Sequence, residues 1–347
     1  MPKDSYGFAI VGCGLISQFH GNAIKAADGA ELVCAADLNR ERLDKFCTDF
    51  SCEPAESFEA ILADDRVDVV NVCTPNAYHA MFAVPAMNAG KHVVVEKPPE
   101  MTLDKCDQMI EARDRNGVKL AISLQVRFRK PIEAIKQAIE QGRFGRLLQA
   151  DTYMKWFRST DYYLQDDWRS KREEGAGVTI QHAFHYIDLL HHLMGPVTQV
   201  DARMTNLAHP EVALEDTLNA FLEYANGALG VVQASTALWP GTDIRVEING
   251  EDGTVIMAGE RIVTWEFRDK RPGDEEMVQI GDASVKTAAG GAADFAYTEH
   301  LYMIQDMLQA IETDRSPRIS CESARGTLAI ALAMYQSADE GAPVRLG

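Results

Sequence analysis

The chain has 347 residues, 46% of them hydrophobic and 25% charged, an ordinary globular composition with length enough for two separate cores. A formal charge of −18 leaves no concentrated basic field, so neither nucleic acid nor an anionic membrane is expected as a partner. Seven cysteines (Cys13, Cys34, Cys47, Cys52, Cys73, Cys106, Cys321) are odd in number and scattered, without zinc-site or redox spacing; inert core thiols and no metal are expected.

The start, MPKDSYGFAIVGCG, has no apolar segment of secretory length, and no uninterrupted apolar run reaches spanning length, so a cytoplasmic protein is expected. From Gly7 to about Ser123 the apolar runs FAIV, ELVCAAD, VDVVNV, HVVVE and KLAIS alternate with segments of period near 3.6, such as LDKFCTDF and CDQMIEARDRNG. That alternation predicts an α/β domain with a doubly wound parallel sheet, placed at residues 1–125.

After Pro131 the pattern changes. A helix is expected over Ile132 to Gln141, then the turn RFGR and the β-rich runs LLQADTYMKWF, TQVDARMTNL, TLNAFLEYANGALGVVQAST, IRVEING, GTVIMA and RIVTWEFRD. Ala225-Asn226-Gly227 and Asn249-Gly250 read as hairpin turns, so the sheet is expected to be mainly antiparallel. One long helical segment, Gly177 to Leu193, interrupts this half, and two helices close the chain near Ala293–Thr313 and Glu322–Ala338. The second domain is thus an α+β unit at residues 126–347, whose closing helices can pack back on the first. The Gly/Ala-rich stretch Asp282–Ala293 is expected to be a mobile loop.

IVGCGLIS follows the first strand. Gly12 and Gly14 let a backbone approach a pyrophosphate, and the helix opened by Leu15 and Ile16 offers unpaired N–H groups to it; Ser17 stands where the strict motif has its third glycine. Asp37 lies twenty-five residues past Gly12, at the tip of the second strand, where a carboxylate accepts from a ribose diol and repels a 2′-phosphate. NAD is therefore the expected cofactor. Arg40, folded over the adenine edge, would admit NADP, and Asp37 as the N-cap of the helix beginning near Arg40 would be compatible with either.

Gly12-x-Gly14, Thr74-Pro75-Asn76-x-x-His79, Glu96-Lys97-Pro98, Trp168-Arg169 and the segment GAGVTIQHAFHYIDLL together resemble the glucose–fructose oxidoreductase/inositol dehydrogenase/rhizopine-catabolism (Gfo/Idh/MocA) family, and the resemblance spans essentially the whole chain. It implies an N-terminal Rossmann domain, a C-terminal open-faced sheet and an active site between them. It also implies that Lys97 is the catalytic lysine, facing the reacting carbon, and that Thr74, Pro75 and Asn76 pass the nicotinamide side of the cofactor. His79, Glu96, Lys97, Trp168 and Arg169 join that cofactor set, with Glu96 either orienting Lys97 or bridging cofactor groups. Association as a homodimer or homotetramer through the C-terminal sheet is implied as well.

The family carries an Asp-x-x-x-His pair on the helix after a Gly-rich turn; this chain has Gln181 and His185, four residues apart on one helix face. His185 is the expected base and Gln181 the residue that positions the hydroxyl, but an amide carries no charge to stabilise a histidinium. Amide residues here, after an aromatic stretch ending in Trp-Arg, resemble relatives that oxidise UDP-activated amino-uronic sugars at C3, and STDYYLQDDWRSKREEGAG matches that stretch. This points away from a simple inositol dehydrogenase. His182, His191 and His192 are expected to be interior or surface residues, and His182 with His185 makes too few ligands for zinc. Asp188, one turn on, is read as structural.

Substrate contacts are expected from Lys97, Gln181, His185, Tyr162, Tyr163 and Arg169, and from Gln125 and Arg127 after KLAIS; the last two, like the loop residues, could equally be interdomain contacts. The expectation is an NAD(P)-dependent dehydrogenase oxidising a secondary hydroxyl of a sugar, sugar derivative or cyclitol. The alternatives are an NAD-dependent glycosidase working by transient C3 oxidation and elimination, and a non-catalytic dinucleotide sensor, which would need neither Lys97 nor His185.

Overall fold

The computed structural model describes residues 3–175, 177–278, 280–281 and 296–347. The chain divides into two compact units, one of residues 1–125 and 296–325 and one of residues 126–295 and 326–347, each taken over its described residues. The stretch expected to be a mobile loop at 282–293 lies outside the described residues, as does the start of the helix expected from Ala293.

The first unit is built on six parallel strands: β1 (Tyr6–Val11), β2 (Ala30–Ala36), β3 (Glu53–Pro54), β4 (Val69–Val72), β5 (His92–Glu96) and β6 (Leu120–Ser123), in the order β3-β2-β1-β4-β5-β6. Helices connect them, so both faces are covered, and β1, β4 and β6 are buried at every residue. This is why they read as continuous apolar runs. Each of Phe8, Ile10 and Ile122, fully withdrawn from water, contributes about 1.5–3 kcal/mol. The reversal of strand order at β1 and β4 makes the topological switch point, beyond whose carboxyl ends ligands bind in such sheets.

The second unit holds eight strands: β7 (Leu147–Lys155), β8 (Val197–Thr205), β9 (Thr217–Tyr224), β10 (Leu229–Ser235), β11 (Arg245–Gly250), β12 (Gly253–Ala258), β13 (Arg261–Phe267) and β14 (Val344–Arg345). Their order is β13-β12-β11-β7-β10-β9-β8-β14, with every pair antiparallel except β7 and β10. In β9, alternate residues Leu218, Ala220, Leu222 and Tyr224 are buried and their neighbours are not, the pattern of a sheet covered on one face. Helix Phe184–Met194 covers that face through Leu189, Leu190 and Leu193, in one apolar cluster with Val200, Leu222 and Val232.

The helix expected from Ile132 begins at Lys130, because Pro131 in its first turn gives up an N–H that a helix start leaves unpaired anyway. The segment expected as a single helix from Gly177 is in two parts, a wide π-type turn at Thr179–Ala183 and the helix Phe184–Met194. Helices Thr298–Glu312 and Cys321–Glu340 close the chain, and the edge strand β14 follows them. That last two-residue strand had no signature of its own.

Candidate active site

At the carboxyl end of β1 the chain turns through Gly12 at φ 93°, a left-handed conformation, and a Cβ there would come 2.7 Å from the Cys73 carbonyl oxygen. Only glycine fits the turn. At Gly14 a Cβ would meet nothing within 4 Å, so open space lies against the backbone there, and Gly14 is also the N-cap of helix Leu15–Ala26. No side chain caps that helix, and its first turn carries no acid. A cradle of open space, uncapped N–H groups and a positive dipole end fits a pyrophosphate. Ser17 is buried and donates to the Gly14 carbonyl at 2.6 Å, so the hydroxyl in the third glycine's place tightens the turn.

Asp37 ends β2, and its carboxylate accepts from the backbone N–H of Cys13 and of Asn39, both at 2.6 Å. The cap of the next helix, Arg40–Phe50, is Asn39, whose side chain accepts from Arg42 N at 3.0 Å. Asp37 is therefore not that helix's N-cap; it ties the glycine turn to β2 and presents its carboxylate beside it. Arg40 is exposed and paired with Asp44 at 2.9 Å, one turn along its own helix.

Thr74, Pro75 and Asn76 follow β4 at the same sheet end, with Asn76 buried. His79 is fully buried, and its ring nitrogens lie 3.0 Å from the Thr74 carbonyl and 2.8 Å from the Pro98 carbonyl. Both nitrogens face backbone carbonyls, of which the neutral ring donates to one, so His79 acts on a cofactor only through the loops that it packs against. Burial pushes its imidazole below the ordinary histidine range.

Glu96 ends β5 and is buried, whereas the next side chain, Lys97, is half-exposed. The Lys97 backbone N–H donates to Glu96 Oε2 at 3.0 Å, and the Lys97–Pro98 peptide is cis. Burial raises the Glu96 carboxyl, but the hydrogen bond from His20, with the neighbouring His300 and the Ser123 hydroxyl, outweighs it and holds the group well below the carboxylate range. Gln125 is buried after β6, its Oε1 3.5 Å from Ser123 Oγ.

In the second unit, Gln181 lies in the π-type turn and His185 in the first turn of the helix that follows; both are partly exposed. Glu215 anchors the start of that turn. Its Oε1 accepts from Thr179 N at 3.0 Å and from Tyr335 OH at 2.8 Å, and its own carbonyl accepts from Val178 N at 3.0 Å. A Cβ on Gly177, which sits at φ 97°, would fall 2.5 Å from the same carboxylate. The glycine before the π-type turn thus admits a buried acid, which burial raises above the usual carboxylate range. Glu215 had no signal in the sequence, since its partners lie 36 and 120 residues away.

Tyr162, Trp168 and Arg169 cluster. The Arg169 guanidinium lies 4.8 Å from the Tyr162 ring and 4.6 Å from the Trp168 ring, donates to Tyr162 OH at 2.9 Å and pairs with Asp166 at 3.1 Å. Tyr162 also packs 5.6 Å from the His182 ring. Two expected substrate contacts are corrected. Tyr163 is a core residue, with its hydroxyl 2.6 Å from Thr236 Oγ1 and its ring packed with Val212 and Leu214. Arg127 is buried and donates to both Asp188 oxygens, at 2.7 and 2.5 Å, with Thr327 donating to Asp188 as well at 2.8 Å. Asp188 is structural, as expected, and holds Arg127 away from a substrate role.

Among the described residues, His20, Glu96 and His300 are the one group with three potential metal-ligand atoms within 4.8 Å of one another. Asn71 Nδ2 donates to His20 Nδ1 at 2.8 Å, which leaves the ring proton on Nε2, facing Glu96. A protonated nitrogen is a donor and not a ligand, so this is a hydrogen-bonded cluster. No described helix is long and apolar enough to cross a membrane.

Comparison with known proteins agrees with this geometry. Residues 6–124 match the model of the oxidoreductase family with an NAD-binding Rossmann fold, and residues 132–256 match the GFO/IDH/MocA C-terminal domain. The WlbA dehydrogenase of Bordetella pertussis, solved with NADH and UDP-GlcNAcA, is 32% identical with a TM-score of 0.88, covering 99% of each chain. WlbA from Chromobacterium violaceum, solved with the same two ligands, is 28% identical with a TM-score of 0.90 over 100% of this chain and 98% of that one. D-apiose dehydrogenase of Paraburkholderia graminis is 28% identical over 97% of this chain and 89% of its own length. The glycine turn, the Glu96-Lys97-Pro98 strand end and full-length likeness at this level place the chain in the Gfo/Idh/MocA family, as an NAD(P)-dependent oxidoreductase acting on CH–OH groups.

Proposed function

We propose that the chain oxidises the C3 hydroxyl of a nucleotide-linked amino-uronic sugar. The observation that carries this reading is full-length likeness to a dehydrogenase solved with NADH and UDP-GlcNAcA. Gln181-x-x-x-His185 after the Trp168-Arg169 stretch supports it independently. In this reading Gly12, Gly14, Leu15 and Ile16 seat the pyrophosphate, Asp37 accepts from the ribose diol, and Thr74, Pro75 and Asn76 flank the nicotinamide. NAD, when bound, supplies the hydride acceptor.

The residues of the chain handle the proton and the charge. His185 takes the hydroxyl proton, and Lys97 steadies the oxyanion that develops as the carbonyl forms. Gln181 orients the hydroxyl by hydrogen bonding and leaves His185 without a carboxylate neighbour at that position. The overall change is one secondary alcohol and NAD⁺ to one ketone, NADH and a proton. We further propose a homo-oligomer formed through the open face of the second sheet, where Phe221 and Leu229 are exposed and would gain from cover.

The test is turnover of UDP-N-acetylglucosaminuronic acid against myo-inositol and free aldoses, with NAD and NADP supplied separately, following NADH and the keto product. Net NADH with the nucleotide sugar and little with myo-inositol is expected. Activity with inositol alone would end the substrate assignment, and release of UDP without net NADH would mark an elimination course instead. Lys97→Ala is expected to abolish turnover while NAD binding stays within a few-fold.

A further inference from the structure

Four elements of the first unit converge on the Glu96 carboxylate. Helix Leu15–Ala26 brings His20, β4 brings Asn71, β6 brings Ser123 and helix Thr298–Glu312 brings His300; all four side chains are fully buried. The bonds converge on the carboxylate. Asn71 Nδ2 donates to His20 Nδ1 at 2.8 Å, His20 Nε2–H donates to Glu96 Oε1 at 2.8 Å, and Glu96 Oε2 accepts the Lys97 backbone N–H at 3.0 Å. His300 Nε2 stands 3.9 Å from Glu96 Oε1, its ring stacked on Phe19 at 5.8 Å and edge-on to His20 at 5.1 Å.

A carboxylate withdrawn from water is costly by several kcal/mol unless its oxygens are satisfied. Apolar side chains of similar volume would fill the same space as stably, so packing alone does not account for this set. What the set achieves is local. Each oxygen of Glu96 is held from a different side, one by the imidazole and one by the amide of the next residue, which leaves the carboxylate little freedom to turn. The amide it grips belongs to Lys97, at the point where the chain leaves β5.

We propose that Asn71 and His20 are positioning residues that act through Glu96 to fix the Lys97 backbone, and with it the ammonium, for hydride transfer. The inference rests on Lys97 being the catalytic lysine. The two nitrogens of the His20 ring are spaced like the two terminal atoms of a glutamine amide, so His20→Gln can accept from Asn71 and donate to Glu96, whereas His20→Leu can do neither. A misplacement of an ångström at the reacting centre costs about 100-fold in rate.

The experiment compares wild type, His20→Leu, His20→Gln and Lys97→Ala, with two readouts. One is kcat on UDP-N-acetylglucosaminuronic acid beside the NAD dissociation constant. The other, independent of any substrate, is amide hydrogen exchange over residues 93–101. His20→Leu is expected to lower kcat about 10-fold to 100-fold with NAD affinity within about threefold, and to speed exchange at the Lys97 amide about tenfold or more. His20→Gln is expected to restore both. Wild-type kcat and exchange in His20→Leu, or no rescue by glutamine, overturns the inference. Full turnover in Lys97→Ala overturns the catalytic reading itself, and an inactive Lys97→Ala beside a wild-type-like His20→Leu overturns only the positioning role. Where His20→Leu does not fold, Ser123→Ala, which removes one hydroxyl from Glu96, takes its place with a smaller loss of kcat and faster exchange expected; no change in either rejects the proposal.

Discussion

Strands β4 and β9 each set one asparagine among apolar neighbours, and the fold treats the two in opposite ways. Asn71 in VVNV is fully buried and hydrogen-bonded to His20, whereas Asn219 in TLNAFLEY faces outward beside Gln233 and Arg203. The parallel strand is covered on both faces, so a polar side chain within it must find a partner inside the protein. The antiparallel strand has one open face in the single chain, where water serves Asn219 at no cost. A polar residue in a doubly covered strand thus points to a built network, and one in a half-covered strand does not.

If that distinction holds, the largest losses follow from orphaning buried polar groups, wherever they lie. Asp188→Asn leaves the buried Arg127 guanidinium without its carboxylate, and a loss of about 3–5 kcal/mol is expected by urea unfolding. Glu215→Ala removes the acceptor of Thr179 N and of Tyr335 OH and is expected to cost about 1–3 kcal/mol for each group left unsatisfied. It should also lower kcat, since the turn carrying Gln181 starts there. Losses below about 1 kcal/mol in both variants would mean that water reaches these sites and that their burial is not the controlling term.

How much of this was legible beforehand follows the same division. The parallel sheet and the glycine turn were readable because each is a local pattern, a run or a motif within a few residues. The open sheet face came with the resemblance, and the alternation in β9 agrees with it. The partners of buried polar groups were not, because they come from distant segments: His20 with Glu96 is 76 residues apart and Arg127 with Asp188 is 61. Arg127 and Tyr163 were therefore assigned to a substrate when the fold spends them on its own interior. Asn71 alone gave a hint, as the one polar residue in VVNV.

Acid sharpens the comparison further. Burial, then the charge of Arg127, pushes the His192 imidazole down from 6.5 to about 4. As pH falls below 6.5 the unfolded chain takes a proton that the folded chain refuses until about 4, so stability is lost across that window and is intact above it. His192→Asn, which cannot titrate, should flatten that part of the unfolding-midpoint profile. An unchanged profile would place the acid sensitivity elsewhere.

The direct break of the comparison is the same substitution made in both strands. Asn71→Val leaves His20 Nδ1 without its donor in a closed environment and is expected to cost about 1–3 kcal/mol. Asn219→Val puts a β-branched side chain on an open face, where strand preference favours it, and should fall within about 0.5 kcal/mol of wild type. Urea midpoints at several protein concentrations decide this. A rise in the Asn219→Val midpoint with concentration, steeper than in wild type, would show that the face is covered by another copy of the chain and gains from added apolar surface. A loss above about 1 kcal/mol at every concentration would instead mean that Asn219 is held as firmly as Asn71, and that coverage of a strand does not decide what its polar residues do.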